Sequence, residues 1–326
     1  MAGVLLVADA SGEQLPATMA ELVAEGKRIA SQLGGGTPVV ALVGKNVQAL
    51  ASTLGQLGIE RVLIADSQSP GPASPDWLLT AAEHAAHQAQ ADVILLTHSA
   101  VGRELAAGLA YRLNTGIVTD CTALRVDGGE LVITKPVYGG SAIAEFSISS
   151  SPKVATLRPR AFEAEESPGP AQAQVEALAV PSADGQVEVL EEIREQASSG
   201  PRLKDAKIIV SGGRGLGGPE NWKFVEELAQ VLGAAIGATR AVTDAGWVSP
   251  SLQVGLTGST VAPDLYITVG ISGAVQHIAG ISGARNVVAI NRDGDANIFK
   301  YARYGIVGDW KQVLPTFTQR LRELRG

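Results

Sequence analysis

A chain of 326 residues exceeds the ~250–300 at which a single hydrophobic core stops growing, so two domains are expected. With 45% apolar and 18% charged residues, the composition is that of a globular protein and excludes a disordered one. The formal net charge of −7 divides into −11 over residues 1–200 and +4 over residues 201–326. The acidic front argues against nucleic acid, and the mildly basic back suits an anionic ligand.

Cys121 is the only cysteine, which excludes an intrachain disulfide and a cysteine-based metal cluster. The opening run Met1 to Asp9 meets an acid too soon for a secretory apolar segment and reads as a first buried strand. No apolar run approaches the ~20 residues of a membrane-spanning helix, so no membrane insertion is expected.

From the start to about residue 115, short apolar runs alternate with Ala/Leu/Glu-rich segments of helical spacing. Strands are predicted at 4–8, 38–43, 61–65 and 92–97, and helices at 18–33, 47–57, 77–90 and 101–113. Such alternation means βαβ units and a parallel sheet covered on both faces. Strands at 121–126, 130–135, 142–149 and 153–158, separated by turns such as Asp127-Gly128-Gly129, predict an antiparallel addition. Residues 163–206, rich in Ala, Glu, Ser and Pro, read as a connector holding at most one strand at 187–190, with the domain boundary near 200.

Alternation returns at Lys207, with strands at 208–211, 234–239, 265–270, 287–291 and 306–309. Helices are predicted at 221–232, 275–280, 296–302 and 312–324. The expected fold class is therefore α/β: two doubly wound parallel-sheet domains, 1–200 and 201–326, the first with the antiparallel addition. In the second, a ligand belongs beyond the carboxyl ends of the strands.

Three loops carry the chemistry. Residues 211–218, Ser-Gly-Gly-Arg-Gly-Leu-Gly-Gly, leave the first strand of the second domain. They satisfy G-x-G-x-x-G, but the region 237–240 reads Gly-Ala-Thr-Arg, without the ribose-binding acid of a standard NAD site. Arg214 on such a loop can fork onto a phosphate; a tight turn with an exposed arginine explains it too. Residues 253–260, Gln-Val-Gly-Leu-Thr-Gly-Ser-Thr, form a second loop, which a plain connection explains equally well. Residues 270–277, Gly-Ile-Ser-Gly-Ala-Val-Gln-His, form the sharpest, with Ser272 placed as N-cap of a helix whose N-terminus favours an anion. Asn291 and Asp309 are each expected to end a strand on the same sheet edge. Elsewhere, Thr97-His98-Ser99 opens a helix and fits either a nucleotide or a Ser99 cap, and His84 with His87 lacks the further ligands that a metal needs.

These segments, with Asp244-Ala245-Gly246-Trp247, Ala289-Ile290-Asn291-Arg292-Asp293 and Tyr304-Gly305-Ile306-Val307-Gly308-Asp309, stand in an order that closely resembles the electron-transfer flavoprotein alpha (large) subunit. The resemblance covers 207–315 almost continuously and 118–162 more loosely, notably Thr156-Leu157-Arg158-Pro159-Arg160-Ala161-Phe162. It implies a Rossmann-like FAD-binding domain at 201–326 and a heterodimer with a smaller beta subunit. It further implies an electron carrier, without a small-molecule substrate of its own. FAD contacts are implied for Arg214, Thr239, Arg240, Val254, Gly255, Leu256, Thr257, Ser272, Gly273, Ala274, Val275, Gln276, His277, Asn291, Asp309 and Trp310. Among these, Thr257 is implied near flavin N5, Arg240 against the ring and His277 near its N1/O2 side. Thr239 stands where serine is common, Leu256 where glutamine is common and Ser259 where lysine is common.

The resemblance also implies flavin dehydrogenases as donors, a membrane quinone oxidoreductase or similar protein as acceptor, and a cytoplasmic or mitochondrial-matrix location. Its alternative is an electron-bifurcating flavoprotein with a second FAD in the beta subunit; a non-redox nucleotide-binding module is the more distant one. A positive Arg240 and a cationic or hydrogen-bonding His277 favour the charge of a one-electron-reduced flavin.

Overall fold

The computed structural model describes residues 3–10, 15–16, 18–67, 73–164, 173–181, 201–204 and 206–325. The chain forms two compact units: residues 1–137 with 141–194, and residues 138–140 with 195–326. The expected strand at 187–190 lies outside the described residues.

The first unit begins β1 (Gly3–Ala10), α1 (Met19–Gln32), β2 (Val39–Gly44), α2 (Ala51–Gln56), β3 (Arg61–Asp66), α3 (Pro75–Gln88), β4 (Ala91–Thr97), α4 (Ala100–Arg112). Then follow β5 (Ile117–Cys121), β6 (Ala123–Asp127), β7 (Glu130–Val137), β8 (Ala142–Ser147), β9 (Lys153–Leu157) and β10 (Gln174–Ala177). Seven of these strands make one parallel sheet in the order β10-β3-β2-β1-β4-β9-β5. Its strands are nearly continuous apolar runs because both faces are covered. Residues of α1 and α2 bury Leu22, Ile29 and Leu54 on one face, and α3 and α4 bury Ala81, Ala85, Leu105 and Leu109 on the other.

The antiparallel addition is smaller than expected. Among the described residues, β6, β7 and β8 form it. The predicted strand at 121–126 is two strands: β5 ends in the parallel sheet at Cys121, and the chain leaves that sheet before β6. The run at 153–158 is β9, a parallel strand between β4 and β5 rather than part of the addition. The connector also supplies β10, paired parallel to β3 and fastened by an Arg61–Glu176 pair of 2.8 Å. Ser99 caps α4, its Oγ accepting from the Gly102 amide at 2.9 Å.

The second unit contains β11 (Ile208–Gly212), α5 (Lys223–Leu232), β12 (Ala235–Ala238), α6 (Arg240–Thr243), β13 (Leu265–Val269), α7 (Val275–Ile281), β14 (Val287–Asn291), β15 (Tyr304–Val307) and α8 (Trp310–Arg325). Its parallel sheet has the order β12-β11-β13-β14-β15. Val225, Leu228 and Leu314 from α5 and α8 cover one face, and Ile278 and Ile281 from α7 cover the other. The helix predicted at 296–302 is a single 3₁₀ turn, Asn297–Lys300. The last strand ends at Val307, so Asp309 does not end it; its carboxylate accepts from the Lys311 amide at 3.0 Å and opens α8. Among the described residues no helix is long and apolar enough to cross a membrane.

Candidate functional site

The strand order β12-β11-β13 sends the chain outward from β11 and then back across it to β13. The carboxyl ends of β11 and β13 therefore flank the switch point, where an open parallel sheet leaves a crevice. A cleft of about 680 Å³ lies there, lined by residues 213–215, 239–241, 244, 253–257, 270–272, 274, 276–277 and 291–293. All three glycine-rich loops meet in it.

Twelve of the residues singled out from sequence line this cleft: Arg214, Thr239, Arg240, Val254, Gly255, Leu256, Thr257, Ser272, Ala274, Gln276, His277 and Asn291. Gly273, Val275, Asp309 and Trp310 do not. Trp310 braces the site from behind. Its buried ring packs on Phe224 with centroids 5.4 Å apart, and its Nε1–H donates to the Gly215 carbonyl at 3.1 Å. Asn291 acts on the third loop, donating to the Ile271 carbonyl at 2.9 Å while its Oδ1 accepts from the Asp293 amide at 3.0 Å.

The first and third loops touch. A Cβ at position 213 would fall 2.4 Å from the Gly270 carbonyl oxygen, so only glycine permits this approach. Gly273 has φ +82, and a Cβ there would meet the Ile298 amide nitrogen at 2.3 Å. The same turn is tied down by Asn297, whose Nδ2 donates to the Gly273 carbonyl at 2.7 Å, and by the Ile298 amide, which donates to the Ser272 carbonyl at 3.1 Å. Gly273→Ala is expected to cost about 1–3 kcal/mol in backbone strain, with more from the collision. A lowered thermal unfolding midpoint checks this, and an unchanged midpoint refutes the turn's dependence on glycine.

Ser272 does not cap α7. The helix opens at Val275, Ala274 holds the N-cap position without a side-chain bond, and Ser272 lies exposed on the cleft wall. The His277 and Ile278 amides donate to the Ala274 carbonyl at 2.9 and 3.0 Å, and Gln276 belongs to the cleft lining.

Three arginines line the cleft: Arg214, Arg240 and Arg292. Arg214 makes no ion pair with any described residue. Arg240 holds Asp244 by an Nε–Oδ2 contact of 3.1 Å, with 67% of the arginine side chain exposed. Leu256 is exposed at 68%, and its amide donates to the Gln276 carbonyl at 2.7 Å, joining the second loop to α7.

His277 is buried, and both of its ring nitrogens have protein partners. Nδ1 lies 3.0 Å from the Val254 carbonyl, which accepts only, so Nδ1 carries the proton. Nε2, 3.2 Å from the Tyr266 hydroxyl, then accepts from it. Burial pushes the imidazole down to about 4, against the Val254 carbonyl, which favours the cation. Of the two expected states, cationic or hydrogen-bonding, the geometry shows the hydrogen-bonding one, and burial disfavours the cation. Burial likewise pushes the Tyr266 phenol up, which keeps it a donor.

Four residues that matter here were not on the sequence-derived site list. Tyr266 fixes the His277 tautomer, Gln253 joins Thr257 to Thr243, Asp244 pairs with Arg240, and Asn297 holds the Gly273 turn. Gln253 and Asp244 stand inside segments already quoted for the resemblance. Tyr266 reads from sequence as an ordinary strand residue.

Comparison with known proteins supplies the family. Residues 4–183 match the electron transfer flavoprotein domain and residues 202–282 the electron transfer flavoprotein FAD-binding domain. The electron transfer flavoprotein subunit alpha of Bacillus subtilis (strain 168) is 40% identical over 305 residues, 93% of this chain and 92% of that one. The subunit alpha of Thermoanaerobacterium thermosaccharolyticum is 38% identical over 309 residues, covering 94% and 93% of the two chains. The Protein FixB of Clostridium saccharobutylicum is 37% identical over 327 residues, covering 99% and 97%. The chain belongs to the electron transfer flavoprotein family, as an alpha subunit whose C-terminal unit carries the FAD-binding domain.

Proposed function

We propose that the cleft at the β11/β13 switch point holds FAD, and that the chain works as an electron carrier in a heterodimer with a smaller beta subunit. The observation that carries this reading is the convergence of three glycine-rich loops and three arginines, Arg214, Arg240 and Arg292, on one cleft. The residues present suit a long, doubly charged ligand. Among the described residues Arg214 is a cation without an acidic partner, beside a loop of backbone amides suited to a pyrophosphate. Thr239, Thr257 and Ser272 add hydroxyls along the walls.

Bound FAD supplies one- and two-electron chemistry at its ring, and the protein sets the potential. Arg214, the amides of the first loop and Gln276 would hold the pyrophosphate. Arg240 would place positive charge beside the ring, favouring its reduced, more negative form. Thr257 would offer a hydroxyl to N5. His277, neutral and held at both nitrogens, shapes the wall and ties the second loop to α7. Gly273, Val275, Asp309 and Trp310 support these contacts at the edges of the site. The donors are flavin dehydrogenases and the acceptor a membrane quinone oxidoreductase or a protein of that kind. The location is the cytoplasm, or the mitochondrial matrix in a eukaryote. The domain division is residues 1–200 for partner contact and 201–326 for FAD.

The complex made with the adjacent beta-subunit gene is expected to be yellow and to release FAD on denaturation. Chromatography of the released flavin against FAD and FMN standards is the test. FMN as its only flavin would remove the pyrophosphate assignment at Arg214.

A further inference from the structure

Gln253 joins two parts of the cleft wall. Its Nε2 lies 2.9 Å from Thr257 Oγ1, and its Oε1 lies 2.9 Å from Thr243 Oγ1. Thr243 Oγ1 also lies 3.0 Å from the Arg240 carbonyl oxygen. A threonine hydroxyl has one proton, so Thr243 cannot donate to Gln253 and to Arg240 at once. The Gln253 backbone is fixed, its amide donating to the Pro250 carbonyl at 3.0 Å and its carbonyl accepting from Ser259 at 2.7 Å. The side-chain amide alone is left to turn.

Two arrangements of protons fit these heavy-atom positions, because the nitrogen and oxygen of a glutamine amide exchange places by a half-turn. In the first, Thr243 donates to the Gln253 carbonyl, the Gln253 N–H donates to Thr257, and the Thr257 proton points into the cleft. In the second, Thr243 donates to Arg240, the Gln253 N–H donates to Thr243, and Thr257 donates to the Gln253 carbonyl. Thr257 then offers the cleft only a lone pair. The first makes two internal bonds and one to an acceptor in the cleft; the second makes three internal bonds and accepts a further one from a donor in the cleft.

We infer that Gln253 is a positioning residue that decides whether Thr257 presents a proton or a lone pair to the flavin, and that its amide turns over with the redox state. This rests on the placement of Thr257 against N5 proposed above. N5 of the oxidised ring accepts a hydrogen bond. Once two electrons from a flavin dehydrogenase and one proton from solvent have been added, N5 is an N–H donor and the ring carries one negative charge. The first arrangement therefore matches the oxidised ring and the second the reduced one. A fixed hydroxyl partner would serve one state and oppose the other.

The test is a double-mutant cycle read by dye-referenced reductive titration of the complex. Gln253→Glu keeps the side-chain length and offers oxygens only, so the ionised carboxylate accepts from Thr257 and holds the second arrangement. Its charge also disfavours reduction, but that effect does not depend on Thr257. The Gln253→Glu shift is therefore compared in the Thr257 and Thr257→Val backgrounds. The expected result is an oxidised-to-reduced equilibrium about tenfold more favourable to reduction when Thr257 is present, about 30 mV for two electrons. Equal shifts in the two backgrounds overturn the inference. In an isotope-labelled complex the Gln253 side-chain amide resonances are expected to move on reduction with Thr257 and not with Thr257→Val; resonances equally indifferent in both overturn the turnover. If Thr257→Val alone leaves the potential and the visible bands of the flavin unchanged, the placement of Thr257 at the ring fails instead.

Discussion

Arg240→Ala is expected to lower the potential for the first electron by roughly 40–130 mV, the equivalent of about 1–3 kcal/mol for a charge-assisted contact at 59 mV per tenfold change. Arg240 opens α6 directly after β12 and lines the cleft. A guanidinium there stabilises an added electron on the ring more than the uncharged ring. The structure adds a counterweight that moderates this effect. Asp244, one turn on, holds the Arg240 Nε at 3.1 Å and also lines the cleft, so part of the positive charge is already offset. The opposite and smaller shift is therefore expected of Asp244→Asn, which removes that negative charge and leaves the guanidinium in place. Arg240→Lys is expected to recover only part of the loss, because an ammonium lacks the planar fork that lies on a ring. FAD content is expected to fall less than the potential, since the proposed site gives the far end of the cofactor to Arg214 and the first loop. Potentials of the three variants, measured against a reference dye, check the argument. An Arg240→Ala protein with the wild-type potential would leave Arg240 as a surface charge paired to Asp244.

What was legible in the sequence followed from two regularities. Apolar runs of strand length alternated with helical spacing, which gave both parallel sheets and most element limits. Glycines and hydroxyl residues collected at strand ends, which gave the three loops that the structure brings into one cleft. The misreadings have physical causes. The run 121–126, Cys-Thr-Ala-Leu-Arg-Val, has no turn residue to divide it, yet Cys121 closes a strand of the parallel sheet and Ala123 opens one of the antiparallel sheet. Pairing partners are set by long-range contacts that local pattern does not record, so sequence alone places β9 in the antiparallel addition and leaves the edge strand β10 within the connector. Asp309 is two residues beyond its strand and directly precedes α8, where its carboxylate accepts from the Lys311 amide and its carbonyl from those of Gln312 and Val313. Ser272 has the composition of a cap, but the Gly273 turn delays the helix to Val275. The state of His277 depends on Tyr266 and on the Val254 carbonyl, both distant in sequence, and on burial, which no motif reports.

That neutral state of His277 makes the last expectation, a loss of stability on acidification. The folded value near 4 lies below the ordinary 6.5 of the unfolded chain, because burial disfavours the imidazolium. Between these values the unfolded chain binds the proton and the folded chain does not, so ∂ΔG/∂pH is positive there. The contribution is fully present above about pH 6.5 and is lost progressively as the pH falls towards 4. Two and a half units at 1.36 kcal/mol each set an upper bound of roughly 3 kcal/mol. His277→Gln keeps a donor and an acceptor but does not titrate, so the difference between wild type and variant isolates this residue. Thermal or denaturant unfolding of the two proteins between pH 4 and 7 is expected to converge on acidification, with wild type losing stability faster. Tyr266→Phe leaves Nε2 without its buried donor and is expected to cost about 1–3 kcal/mol at neutral pH while raising the imidazole pKa little, since burial dominates the shift. The flavin potential provides the independent reading. A neutral imidazole contributes no break to its pH dependence between 6 and 8, so wild type and His277→Gln should run parallel there. A break present in wild type and absent from His277→Gln would show that the imidazole takes a proton when the ring takes an electron, and would return His277 to the role of a cation at the flavin.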